Sequence, residues 1–252
     1  MTAFLAAYRN ESVKLLRRKK YIVFLIIGIF ICTVMAVLGR IASDFIVRQA
    51  GFALPLTPSP MGMLPFFLQI LLPLLIFMGV TDLITTEAAD HTMKAMIVRP
   101  VARWKLYAGK LSAIMTYVII YLACVFTVSA ALHQLLGRGM GLETFLTTLS
   151  AYLLTIPPLI VLACFSAMLA LMGRSASMTM LLLVGIYLAM NVLPFLVPNT
   201  SELLFTSYMS WHRLWIGALP RTSRLVHMIT ILVGYGVVFF MAGSLIFDRK
   251  EY

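Results

Sequence analysis

Six separate apolar runs, each long enough to cross a bilayer as a helix, constrain this chain more than anything else in its sequence. A hydrocarbon core about 30 Å thick needs about 20 helical residues to span it. The runs lie at about 21–39, 61–81, 111–132, 145–172, 178–197 and 225–247. Within lipid, every backbone N–H and C=O must find its partner inside the protein, so runs of this kind fold as helices. Composition agrees: the 252 residues are 62% hydrophobic and 12% charged, with a mean hydropathy of +0.98. That charged fraction is about half that of soluble domains. The expected class is an all-α integral membrane protein with six transmembrane helices in a single transmembrane domain, residues 1–252. Pro73, the Pro157–Pro158 pair and Pro194 fall within or near the ends of spans. Each removes a backbone donor, so kinks are expected there.

The net charge of +11 would suit nucleic acid, but the basic residues cluster at the edges of apolar runs, where membrane lipid head groups lie. No nucleic acid partner is expected. With the N-terminus inside, 14 Lys and Arg fall on the inner side and six on the outer. The positive-inside rule then puts both termini in the cytoplasm. Ahead of the first run, Met1, Phe4, Leu5, Tyr8, Leu15 and Leu16 share one helical face, and Arg9, Asn10, Lys14 and Arg17 lie elsewhere. Residues 1–20 are therefore expected to form an amphipathic interfacial helix that turns sharply into the first span. No cleavable signal peptide is expected, because that run is long enough to span and lacks a small-residue cleavage site.

Several chemistries find no support. Cys32, Cys124 and Cys164 lie inside apolar runs with neither disulfide nor metal spacing. No phosphate-binding Gly-x-x-x-x-Gly-Lys-Ser/Thr loop and no His-Glu-x-x-His pattern occurs, and Asp44 and Glu143 have no nucleophile motif beside them. The chain is expected to be non-catalytic, with no catalytic residues, and to bind no metal or cofactor itself. Its 17 methionines are scattered through apolar runs, as flexible packing requires. The span interiors carry almost no charge, which a proton- or ion-coupled transporter would need. Gln69 and Asn191 are the clearest mid-span polar residues: candidates for a translocation path, or interhelical hydrogen-bond partners. In the outer segment 198–224, Trp211, Leu214, Trp215 and Leu219 are spaced as a helical stripe. Trp211 and Trp215 read either as a plain interfacial anchor or as an outer gate.

The segment 82–110 is longer than a turn requires. Glu87–Val98 can form a short helix whose acidic residues, Glu87 and Asp90, sit toward its N-terminus, where the helix dipole favours them. Arg99 precedes Pro100 and is pushed out of helical geometry, so the helix should break there. Pro100 then suits the first position of a second helix that runs through Arg103 and Lys110 into the third span.

The order Glu87, Thr92, Lys94, Pro100, Arg103, Lys110 resembles the E-x-x-x-G-T-x-K…P-x-x-R…K signature of ABC-2 type transporter permeases. Pro100-Val101-Ala102-Arg103 corresponds to that family's P-[ILV]-[ST]-R. His91 stands where the family usually has glycine, and Ala89 where a second acidic residue is frequent. The interfacial N-terminal helix, six spans, long first and short second inner loops and outer insertion extend the resemblance over essentially the whole chain. The resemblance implies a permease subunit that pairs with a second copy or related permease and with two separate ABC ATPase subunits, which hold the ATP and Mg. It implies that Glu87, Asp90, His91, Thr92, Lys94, Arg99, Pro100, Arg103 and Lys110 form an ATPase-coupling element. It also implies a bacterial plasma-membrane location and export of an amphiphilic substrate such as a peptide antibiotic, lipid or drug. The competing expectations are an ATPase-independent secondary transporter or channel, and a structural membrane anchor subunit.

Overall fold

The structure, a computed structural model, describes residues 3–50, 59–90, 102–136, 139–197, 200, 204–215 and 222–250, with backbone alone at 3, 43–50, 212–215 and 222–225. In chain order the elements are α1 (Ala3–Arg17), α2 (Lys19–Ala50), α3 (Pro60–Ala89), α4 (Arg103–Leu135), α5 (Leu142–Leu154), α6 (Ile156–Ala170), α7 (Ala176–Leu196), a 3-10 segment (Phe205–Trp215) and α8 (Thr222–Arg249). No strand occurs among the described residues. Six stretches are long and apolar enough to cross a membrane: Lys19–Ala42, α3, α4, the α5–α6 pair (Leu142–Ala170), α7 and Val226–Arg249.

Two of these helices outrun the apolar stretches that announce them. The segment 82–110 was expected to leave the membrane at Asp82, yet α3 continues as helix to Ala89. Helix α4 begins at Arg103, well before the apolar run at 111. Hydropathy marks only the lipid-facing length of a helix. Here the extra turns carry charged side chains that face one another inside the protein, so they lengthen the helices without costing exposed polar groups in lipid.

Helix α4 is the central post, touching α1, α2, α3, α5, α6 and α8. Two glycines let it approach its neighbours. A β-carbon at Gly28 on α2 would overlap the Tyr121 hydroxyl, and one at Gly243 on α8 would overlap that of Tyr107. Small residues at such crossings replace the hydrophobic drive that lipid cannot supply. Helix α1 packs along the start of α4: Tyr8 Oη lies 2.9 Å from Thr116 Oγ1, and Gly109 meets Ala7. Its buried residues are Glu11 and Leu15, whereas Leu5, Val13 and Leu16 stay exposed. The apolar face expected from the sequence is thus divided, one side packed on α4 and the other left outward.

The prolines leave carbonyls that other elements fill. Pro73 has no N–H for the carbonyl of Gln69 four residues back. The helix widens into a π turn at Phe67–Leu71, and the Tyr187 hydroxyl on α7 donates to Gln69 O at 3.0 Å. Likewise Pro158 leaves Leu154 O without its helical donor, and the indole N–H of Trp211 supplies one at 2.5 Å. The 3-10 segment is therefore seated within the bundle, where Phe205 also meets Phe165 and Phe239 at centroid distances of 5.2 and 5.8 Å.

Candidate functional site

Four charged side chains from three helices close into a ring near the end of α3 and the start of α4, the two elements that flank residues 91–101. Lys110 Nζ on α4 lies 2.5 Å from Glu87 Oε2 on α3 and 3.4 Å from Glu11 Oε2 on α1. Lys14 Nζ on α1 lies 3.1 Å from Glu87 Oε1 and 3.3 Å from Glu11 Oε1. Carboxylates and ammoniums alternate, so the ring is neutral as a whole. Lys110 is 1% exposed and the two carboxylates 4% and 7%, whereas Lys14 keeps 31% of its side chain accessible.

Burial at this level is tolerable only because every charge has two opposite neighbours. A buried pair adds little net stability, but deleting one member strands the other and costs about 3–5 kcal/mol. The ring's value therefore lies in holding α1, α3 and α4 in one register. Glu87 also sits at the C-terminal end of α3, the negative end of the helix dipole, which disfavours a carboxylate there. This corrects the expectation that Glu87 and Asp90 begin a new helix. Their dipole argument fails because the span's helix has not yet ended, and the two lysines supply the stabilisation instead.

A second cluster adjoins the first. Asp82 accepts from Lys20 Nζ at 2.5 Å and from the Tyr21 hydroxyl at 2.7 Å, with Arg18 Nη1 3.3 Å away. These three residues lie at or just after the bend between α1 and α2, and Tyr117 on α4 donates to the Tyr21 carbonyl at 2.5 Å. In a regular α-helix Asp82 and Glu87 would point roughly 140° apart, given about 3.6 residues per turn. Residues Thr81–Thr86 form a π segment instead. Its i→i+5 turn nearly closes over five residues, so both carboxylates face the α1–α2 unit. The widened turn is what lets one helix grip α1 at Lys14 and the bend at Arg18 and Lys20.

The sequence-derived candidates fall as follows. Glu87 and Lys110 meet in the ring. Asp90 is exposed in the turn that follows α3. His91, Thr92, Lys94, Arg99 and Pro100 lie outside the described residues. Arg103 does not join the ring: its guanidinium donates to the carbonyl of Asp248 and its Nε lies 4.0 Å from that carboxylate, fastening the start of α4 to the end of α8. Nearby, Lys250 donates to the Leu171 carbonyl at 2.5 Å, just past the end of α6, and burial pulls its ammonium below the ordinary lysine range. Gln69 is exposed in a groove of about 180 Å³ between α3 and α7, while Asn191 donates to Tyr187 O of its own helix at 2.8 Å. Trp211 is buried, and for Trp215 only the backbone is described. No group of three or more metal-type side chains occurs among the described residues.

Sequence reasoning missed Glu11, Lys14, Arg18, Lys20, Tyr21 and Asp82 as site members. One signal was present: Glu11 is the sole acidic residue in the first 43, set in a basic helix. Its distant partner Lys110, 99 positions onward, leaves no trace in local pattern.

Comparison with known proteins places this architecture. The family described as ABC-2 family transporter protein matches residues 5–252. No curated protein matches the chain. A ring-braced bundle of six membrane-spanning helices, matched over nearly its whole length, identifies the chain as a multi-pass membrane protein of the ABC-2 transporter family, a permease subunit of an ABC transporter.

Proposed function

We propose that this chain is the permease subunit of an ATP-driven exporter in a bacterial plasma membrane, and that force from its ATPases enters through segment 91–101 and the charge ring formed by the helices that flank it. Two separate ABC ATPase subunits bind that segment and hold ATP and Mg, and a second permease copy or a related permease completes the path. The substrate is amphiphilic, a peptide antibiotic, lipid or drug, in keeping with span interiors that carry apolar side chains and few polar ones.

One observation supports the coupling role above the others. Glu87 and Lys110, the buried charges on the two sides of the segment, are bonded directly to each other and to α1. A push on the segment that displaces α3 therefore pulls on α4 and the N-terminal helix as well. In this reading the ring converts a local displacement into movement of three helices, and Arg103 passes it to α8.

The test is reconstitution in proteoliposomes with the ABC ATPase subunits that copurify with the tagged protein. Glu87→Gln keeps the side-chain shape and removes the charge. The expected result is an intact complex that still hydrolyses ATP while substrate transport falls at least tenfold. Transport undiminished by this change would reduce the ring to a packing feature. If tagged protein in mild detergent brings down no nucleotide-binding subunit, ATP drive itself is refuted.

A further inference from the structure

A cavity of about 350 Å³ lies where α6 ends and α7 begins, lined by Leu169, Met172, Met178, Leu182 and Ile186, with Arg174 among its walls. Arg174 joins two membrane-spanning helices through a loop of a few residues, so it sits where the membrane meets water. Its side chain is exposed and makes neither an ion pair nor a hydrogen bond among the described residues. No acidic residue lines the groove. Below it, Met178 to Ile186 extends the apolar wall by ~12 Å of helix at about 1.5 Å per residue. Two of its lining residues, Met172 and Met178, are 71% and 64% exposed, so the groove is open on one side.

An unpaired cation at the head of an apolar channel, open sideways to the hydrocarbon phase, complements one kind of molecule. We infer that this groove binds a single anionic phospholipid, with an acyl chain along α7 and the head-group phosphate on Arg174. The guanidinium fork suits phosphate oxygens. The first turn of α7 lies beside it and adds the positive end of a helix dipole. Residues that pass force through the ring are not involved, so the site stands apart from the coupling proposal. A lipid seated here would wedge the α6–α7 junction and make the protein's stability depend on membrane charge.

Purified full-length protein in neutral detergent, titrated with dioleoyl phosphatidylglycerol and separately with dioleoyl phosphatidylcholine, tests this by native mass spectrometry. Photoactivatable phosphatidylglycerol then maps the labelled peptide. The wild type should retain phosphatidylglycerol about fivefold better, the value of one cation against anionic lipid, with labelling at 169–186. Arg174→Gln should lose that preference, and Arg174→Lys should recover most of it. Leu182→Trp, which fills the groove and keeps the charge, should lose labelling at 169–186. Unchanged melting in phosphatidylcholine checks that each variant is folded. Equal retention of both lipids, a preference that survives Arg174→Gln, or labelling elsewhere would overturn the site. If Arg174→Gln leaves lipid retention intact but releases the ATPase, the arginine is a protein contact and the proposal fails.

Discussion

At its C-terminal end, α3 is fastened by two carboxylates to α1, to the α1–α2 bend and to α4. Nearer its other end the same helix is fastened by a backbone carbonyl, that of Gln69, held by the Tyr187 hydroxyl. The two attachments differ in how they yield. Glu87 has two lysines within 3.1 Å, and Coulomb attraction falls gradually with distance, so the ring can slide and exchange partners before it breaks. A hydroxyl bonded to a proline-freed carbonyl has one geometry, weakens steeply off line and leaves the acceptor bare when it breaks. Trp211 on Leu154 repeats this second design. The molecule thus places rearrangeable bonds where force is expected to enter and fixed ones where spans are broken by proline.

Removing Lys110 should break the contrast most severely. Lys110→Met leaves two buried carboxylates sharing Lys14, and a loss of about 3–5 kcal/mol is expected. It should show as a large fall in the thermal unfolding midpoint in detergent. The double change Glu87→Gln with Lys110→Met should recover much of that loss. A single change as mild as the Tyr187 hydroxyl deletion below would mean that water, not protein, compensates the ring.

Trp211→Phe should come next. It keeps an aromatic ring in place and takes the donor from Leu154 O, a cost of about 1–3 kcal/mol for a stranded buried carbonyl. Tyr187→Phe should cost less, about 0.6 kcal/mol, because Gln69 O lies at an exposed groove and interhelical bonds in membranes average that value. If Tyr187→Phe proved the costlier of the two, the two proline repairs would not be equivalent devices.

The smallest effect is expected at the partly open cluster. Lys20 is 45% exposed beside Asp82, so Lys20→Ala should cost about 0.2–1 kcal/mol. That difference should vanish near 1 M salt, where the screening length is about 3 Å. Salt should leave the Lys110→Met penalty nearly unchanged, since Lys110 is 1% exposed. Parallel salt responses would erase the distinction between ring and rim.

The spans were legible because lipid imposes a length and a chemistry on each of them, so six apolar runs read directly as six helical spans. The break at Pro157–Pro158 was legible for the same local reason: a missing N–H is visible in the sequence. Which group repairs it was not, because Trp211 is more than 50 residues away from the carbonyl it serves. Glu87 and Lys110 stood out as polar residues flanking a long loop, but their mutual bond did not. The dipole argument for Glu87 went wrong because it took the end of the apolar run as the end of the helix.

The sequence alone determined that this chain crosses a membrane as helices, where prolines weaken them and where its charges concentrate, since all three follow from neighbouring residues and the solvent they meet. Only the tertiary structure decided that Glu11 is a buried partner rather than a surface charge, and that a π segment turns Asp82 and Glu87 the same way. It alone decided that α1 is part of the bundle as well as its edge. Those outcomes depend on ion pairs and hydrogen bonds between residues tens of positions apart, whose energies exist only once the helices have packed.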